Sequence, residues 1–447
     1  MPQRIFITGY GIINCIGNNV AENLTSLLQS KPGTGRICHI DTLLKDELLV
    51  GEVSKTQEEL FGMAGITPAE GYSRNALLGI IAAREAFSHG RMDQNRELKT
   101  GLISATTVGG MDRCELFYND FLSNNTRNAY IDSYDCADST EKIAQLLGIY
   151  DFVTTISTAC SSAANAIMLG ARMIRTGRLD RVLAGGCESL TKFHLNGFNA
   201  LKILDKDPCK PFDRDRAGIN LGEGAAYLVL ESGESLKKTG NQPMCELVGW
   251  GNACEAFHQT ASSPDGVGAY AAMKKAIDLC GLEPAAIDYV NAHGTGTDNN
   301  DLSEGRAVER LFGKQMPMVS STKPFTGHTT SAAGSIEAIL SILCLQNQFI
   351  LPNLNFKERI DELNFSPVEK LVTNVPVNVV MSNSFGFGGN DTSLIFKKVN
   401  ADNSGNANNA DNDENADNAD SADNADSADI ADNSENAENT NFAANEE

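Results

Sequence analysis

An α/β fold made of two like halves is what this sequence predicts, on three observations. Apolar, β-branched runs alternate with helical patterns over the first 400 residues, as expected of stacked sheets and helices. The order of these runs occurs twice, before and after about residue 242. The candidate functional residues all stand where an apolar run stops in small polar or glycine-rich residues. Those are strand carboxyl ends, where α/β folds place their sites.

The first half, residues 1–242, opens with a strand from Arg4 to Gly9. A second strand enters glycine-rich turns over Gly101 to Gly110. A third, Phe152 to Ile156, stops at Ser157-Thr158-Ala159-Cys160-Ser161-Ser162. A small-residue helix then runs to about Thr176, with Gly177 as its stop. Strands at Arg181 to Gly186 and Ala225 to Glu231 close the half. The second half, residues 243–399, has strands at Cys245 to Trp250 and Ile287 to Val290. A strand and small-residue helix follow from Met318 to Leu345. Val379 to Ser384 runs into Phe385-Gly386-Phe387-Gly388-Gly389, and Thr392 to Lys398 is the last strand. The halves correspond in layout, with low identity.

Residues 400–447 are of a different kind. They repeat Ala-Asp-Asn and Ala-Asp-Ser triplets and hold one Phe and one Ile. Such a segment buries too little apolar surface to fold and is expected to be disordered. Its 14 acidic residues account for most of the net charge of −22, leaving −8 for the body. No basic stripe with aromatics points to nucleic acid. No apolar run reaches the 18 or so residues of a membrane span, and no signal-peptide pattern opens the chain. The 11 cysteines have no paired spacing, as expected of reduced thiols in a cytoplasmic protein.

Cys160 is the candidate nucleophile. It lies at the start of a helix, where backbone N–H groups converge and favour negative charge. A free thiol, with a pKa of about 8.5, is only a few per cent thiolate at neutral pH. The helix terminus contributes roughly 0.3–1 kcal/mol, so a histidine neighbour is expected to assist. Two of the six histidines are placed for that. His293 lies in Asn291-Ala292-His293-Gly294-Thr295-Gly296-Thr297, and His328 ends Ser321-Thr322-Lys323-Pro324-Phe325-Thr326-Gly327-His328. Each follows an apolar strand.

These segments, with Pro211-Phe212-Asp213-Arg214-Asp215-Arg216-Ala217-Gly218, Gly222-Glu223-Gly224-Ala225, Ala332-Ala333-Gly334 and Asn383 to Gly389, resemble the β-ketoacyl-acyl-carrier-protein synthases of type II. The resemblance covers residues 1 to about 399. It implies a thiolase-like fold, with duplicated halves in a five-layered α-β-α-β-α architecture, in a homodimer. It implies decarboxylative Claisen condensation of malonyl-carrier with an acyl chain on Cys160. Backbone N–H groups of Cys160 and Phe387 would form an oxyanion hole, and Phe387 would gate it. His293 and His328 would hold the malonyl-derived enolate. Lys323, with Glu337 as its acidic partner, would supply local electrostatics. Thr295 and Thr297 would bind the phosphopantetheine arm. Phe198, Val108 and Phe385 would line substrate, the small Val108 leaving room for a longer chain. Lys202 and Arg74 would dock the acidic acyl carrier protein. No metal or cofactor is implied, since phosphopantetheine arrives on the carrier.

Some positions depart from the family pattern. Asn390-Asp391 follows Gly389 where Thr-Asn is usual, Ser331 stands for a glycine, Pro324 for a serine, and residues 112–141 match poorly. Every catalytic position is spared, so the departures bear on the substrate and leave it open between a fatty-acid chain and an unusual lipid or polyene chain. Two other readings stay open at this stage: a non-catalytic partner subunit of the chain-length-factor kind, and a malonyl-carrier decarboxylase.

Overall fold

A computed structural model describes residues 3–124 and 126–399; the acidic segment from residue 400 lies outside them. Ten strands make one continuous sheet. In chain order they are β1 (Ile5–Asn14), β2 (Thr100–Ala105), β3 (Phe152–Ile156), β4 (Arg181–Glu188) and β5 (Gly224–Ser232), then β6 (Cys245–Cys254), β7 (Tyr289–Asn291), β8 (Met318–Ser320), β9 (Val379–Gly386) and β10 (Asn390–Lys397).

The duplication is literal. The first five strands lie in the order β3-β2-β4-β5-β1 and the second five in the order β8-β7-β9-β10-β6. In each set the first three run parallel and the last two join antiparallel. The sets meet where β1 and β6 pair antiparallel, through Phe6 with Glu246 and Ile7 with Cys245.

Three corresponding helix pairs accompany the strands: α1 (Arg74–His89) and α4 (Val267–Cys280), α2 (Cys136–Leu147) and α5 (Asp298–Phe312), α3 (Ser162–Arg175) and α6 (Ala333–Asn347). Ser73 caps α1 and Asp135 caps α2 by accepting backbone N–H groups of their first turns. Past the end of α3, Gly177 takes φ +69°, the left-handed stop expected at that glycine.

Strand alternation sorts these elements into five layers. On β5, Ala226, Leu228 and Leu230 enter a central core with α3 and α6, while Ala225, Tyr227 and Val229 face α1 and α2 on the other side. On β9 and β10, Val380, Leu394 and Phe396 join the central core, and Met381 and Ile395 face α4 and α5. Helix α6 is buried from Ala333 to Leu345, as required of a helix covered on all sides. Its Gly334 lies against α3: a Cβ there would stand 2.6 Å from the Ala164 nitrogen.

Candidate active site

The site forms where the central helices begin and the strands of both halves end. Between β3 and α3 the chain turns sharply at Ala159, which has φ +51°, a costly conformation for an alanine. Thr158 N–H donates to Ser162 Oγ at 2.8 Å, and Ser162 Oγ–H to the Ala159 carbonyl at 2.6 Å. This elbow presents Cys160, 6% exposed, to the floor of a cavity of about 230 Å³.

His328 Nε2 lies 3.0 Å from Cys160 Sγ, and the Phe387 backbone N–H donates to the same sulfur. Across the cavity, the His293 and His328 rings stand edge to face with centroids 5.3 Å apart. Lys323, fully buried, donates to Glu337 Oε1 at 2.6 Å and to the His293 carbonyl, and reaches His293 Nδ1 at 3.2 Å. An ammonium cannot accept a hydrogen bond, so Nδ1 is the acceptor and the His293 proton sits on Nε2. For His328, Nδ1 has no partner among the described residues. A buried lone pair costs less to leave unmet than a buried N–H, so its proton also belongs on Nε2. His328 thus offers its N–H at the sulfur, and His293 offers one in the same cavity.

Electrostatics sharpen these roles. Burial, then Lys323 and His328, hold His293 well below the ordinary imidazole range. Burial, then Lys323 and His194, do the same for His328. Both are neutral donors at neutral pH. Cys160 departs from the expectation of an acidified thiol. Burial pushes it up to about 11, against the downward pull of Lys323 and the Phe387 N–H.

The cavity wall carries Thr295 and Thr297, whose hydroxyls are 2.8 Å apart. Phe385 packs on His293, with ring centroids 5.9 Å apart. Phe198, from the helix Lys192–Ala200, stacks on Phe387 with centroids 5.8 Å apart. Gly388 beyond Phe387 has φ +82°, which gives that turn its glycine requirement. Exposed Lys202, Asp298 and Asn299 line the outer part.

Two family models match the chain: the beta-ketoacyl synthase N-terminal domain over residues 2–235 and its C-terminal domain over residues 244–357. The chain belongs to the β-ketoacyl synthases. Among curated relatives, 3-oxoacyl-[acyl-carrier-protein] synthase 2 of Staphylococcus aureus is 32% identical over 89% of this chain and 99% of its own. The Vibrio cholerae protein of the same name is 32% identical over the same shares. Among solved structures, the ishigamide ketosynthase/chain length factor superposes with a TM-score of 0.83 at 29% identity, covering 90% of this chain and all of that one. A ketosynthase in complex with its chain length factor from Xenorhabdus doucetiae gives 0.76 at 30% identity, over 89% and 98%. This β-ketoacyl synthase therefore has the thiolase-like architecture expected from its motifs.

Two expected site residues lie elsewhere. Arg74 is not on a docking surface. It is 8% exposed, donates to both Glu223 carboxylate oxygens, and spends its other nitrogens on the Lys55 and Val53 carbonyls. It ties α1 to the segment before β5. Val108 lies outside the cavity lining. Its turn is fixed by Glu188 at the end of β4, which accepts from Thr106 Oγ1 and Thr107 N, each at 2.8 Å.

Other residues of the site escape sequence reasoning. Glu304 accepts the His293 and Gly294 backbone N–H groups at 2.9 and 2.8 Å. Asp301 accepts those of Thr295 and Phe212 at 2.9 and 2.7 Å. The available signal was their place in the first two turns of α5, directly after the His293 loop. Asn390 is the third case. Its Oδ1 accepts from Ser161, Asn165 and Asn252 at 2.8–2.9 Å, linking the Phe387 turn to the residue after Cys160.

Proposed function

We propose that this β-ketoacyl synthase extends an acyl chain by two carbons with malonyl-acyl carrier protein as donor. The observation that carries this is the contact of Cys160 Sγ with His328 Nε2, with the His293 ring edge to face against His328 in the same cavity.

Acyl transfer comes first. Cys160 sulfur attacks the carrier thioester, the carrier thiol leaves, and the cysteine proton ends on that thiol. The developing oxyanion lies between the Cys160 and Phe387 N–H groups. In the second stage the malonyl C–C bond breaks and carbon dioxide leaves. The electron pair becomes an enolate whose oxygen takes hydrogen bonds from His293 and His328. The enolate carbon attacks the acyl-Cys160 carbonyl, the sulfur leaves, and the longer 3-oxoacyl chain remains on the carrier. Neutral donors suit this step, because an acidic group would protonate the enolate. Lys323, held by Glu337, keeps His293 neutral and oriented. Thr295 and Thr297 hold the phosphopantetheine arm, and the chemistry needs no cofactor beyond that arm.

The carrier approaches past Lys202. With Asp298 also exposed there, electrostatic steering is weak, and the match to a particular carrier rests on shape. The chain works as a cytoplasmic homodimer. Edge strand β3 is only half-buried, and Leu116, Leu122 and Tyr134 are exposed apolar side chains, surface of the kind a second copy would cover.

The test is intact-mass spectrometry of the protein with a panel of acyl-carrier proteins and then malonyl-carrier, beside Cys160→Ala. An adduct lost in the variant, followed by a carrier product two carbons longer, is expected. Decarboxylation of malonyl-carrier with no adduct from any chain would replace this reading with a partner-subunit or decarboxylase role.

A further inference from the structure

The turn that covers Cys160 runs directly into β10, and the second residue of that strand is Asp391. It pairs across the ladder with Phe385 of β9 and Ala253 of β6, and its side chain is 2% exposed. The first turn of α4 closes over it: a Cβ on Gly268 would stand 2.3 Å from Asp391 Oδ2 and 3.0 Å from Glu255 Cβ. Asp391 and Glu255 therefore converge on the same glycine. The Gly386 backbone N–H donates to the Asp391 carboxyl.

Glu255 is itself part of the clamp on the turn. Its backbone N–H donates to the Gly389 carbonyl at 3.1 Å. Its carboxylate accepts from Ser263 N and Oγ and from Gly268 N at 2.6–3.0 Å. The Gly388 N–H donates to the Gln259 carbonyl at 2.9 Å. The charged groups that face Asp391 are Glu255, at the segment following β6, and Glu304 on α5. On α4, Lys275 directs its Nζ to the Asn252 carbonyl. Three carboxyl groups thus share a region with no cation among the described residues turned toward Asp391, and burial, then Glu255 and Glu304, push the Asp391 carboxyl up to about 8.

We propose that Asp391 is a positioning residue that holds the Phe387 turn over Cys160 only while its carboxyl carries a proton. It accepts the Gly386 N–H in either form, but only when protonated does it place no charge beside Glu255. Ionised, it repels the residue whose backbone clamps Gly389, and the turn loosens. Asparagine at this position would be a carboxamide with the same shape as a protonated carboxyl and no proton to lose. This chain therefore has a pH-dependent cover where asparagine gives a fixed one. The functional consequence rests on the synthase reading of Cys160; the holding of the turn does not.

Hydrogen exchange of peptides spanning residues 384–392 tests it on the full chain, comparing wild type with Asp391→Asn at each pH from about 6.5 to 9.5. Comparison at equal pH cancels the intrinsic rate. Equal protection is expected at the acid end, with wild type exchanging several-fold faster above about pH 8. Asp391→Ser, which also cannot ionise, is expected to keep a constant ratio to Asp391→Asn and serves if the latter fails to fold. A wild-type ratio to either variant that stays flat with pH would overturn the proposal. If the ratio rises with pH while the mass assay detects no condensation, the synthase reading falls and this one stands.

Discussion

Cys160 is a buried thiol whose surroundings oppose its ionisation while its neighbours invite it. Desolvation is the larger influence, so the sulfur rests protonated and is activated by the contacts it makes on attack. The two histidines then differ in what they touch. His328 reaches the sulfur; His293 reaches Lys323. His293→Ala is expected to slow condensation by about 10²–10³ and to leave acylation of Cys160 nearly intact. His328→Ala is expected to slow both, and separate acyl-transfer and condensation rates distinguish them. Lys323→Met removes a charge that lowers the His293 pKa, so that pKa rises. A charged imidazolium would protonate the enolate, and the acid limb of the condensation profile is expected at higher pH than in wild type. A pH–rate series on both proteins checks the sign.

At the scale of elements, the central layer depends on close approach of α3 and α6. Gly334→Ala drives a methyl group into the backbone at Ala164 and is expected to cost about 1–3 kcal/mol, measured by denaturant unfolding. The strands, the α3 helix and its glycine stop were legible in the sequence, because apolar runs, small-residue periodicity and left-handed glycines are local signals. Arg74 was misread because an arginine's partner is set by tertiary structure; Glu223 lies 149 residues away. Glu304 and Asp301 were missed because they act on backbone N–H groups, which leave no mark on the identity of the residues they hold. Val108 was placed by position alone; its turn is fixed by Glu188 and does not line the cavity at Cys160.

Across the whole molecule, each half repeats one strand order, and the reading of a duplicated α/β fold rested on the repeated order of apolar runs along the chain. Cores and layers followed from it; the meeting of Cys160 with His328 did not, since only motif resemblance joined segments so far apart. Every strand described here ends by Lys397. Removal of residues 400–447 is expected to leave the thermal midpoint unchanged and to shift the isoelectric point upward from about 4.7, as calorimetry and focusing would record.

Cys160 and its histidine partner are separated by 168 residues of chain. A ribosome adding roughly 5–20 residues per second delivers the nucleophile many seconds before His328 exists. During that interval the thiol has neither His293 nor His328 near it, and the five strands of the second half are unmade. A nascent chain thus carries a cysteine without its histidine partner, and competence waits until the late half has been made and paired with the early one.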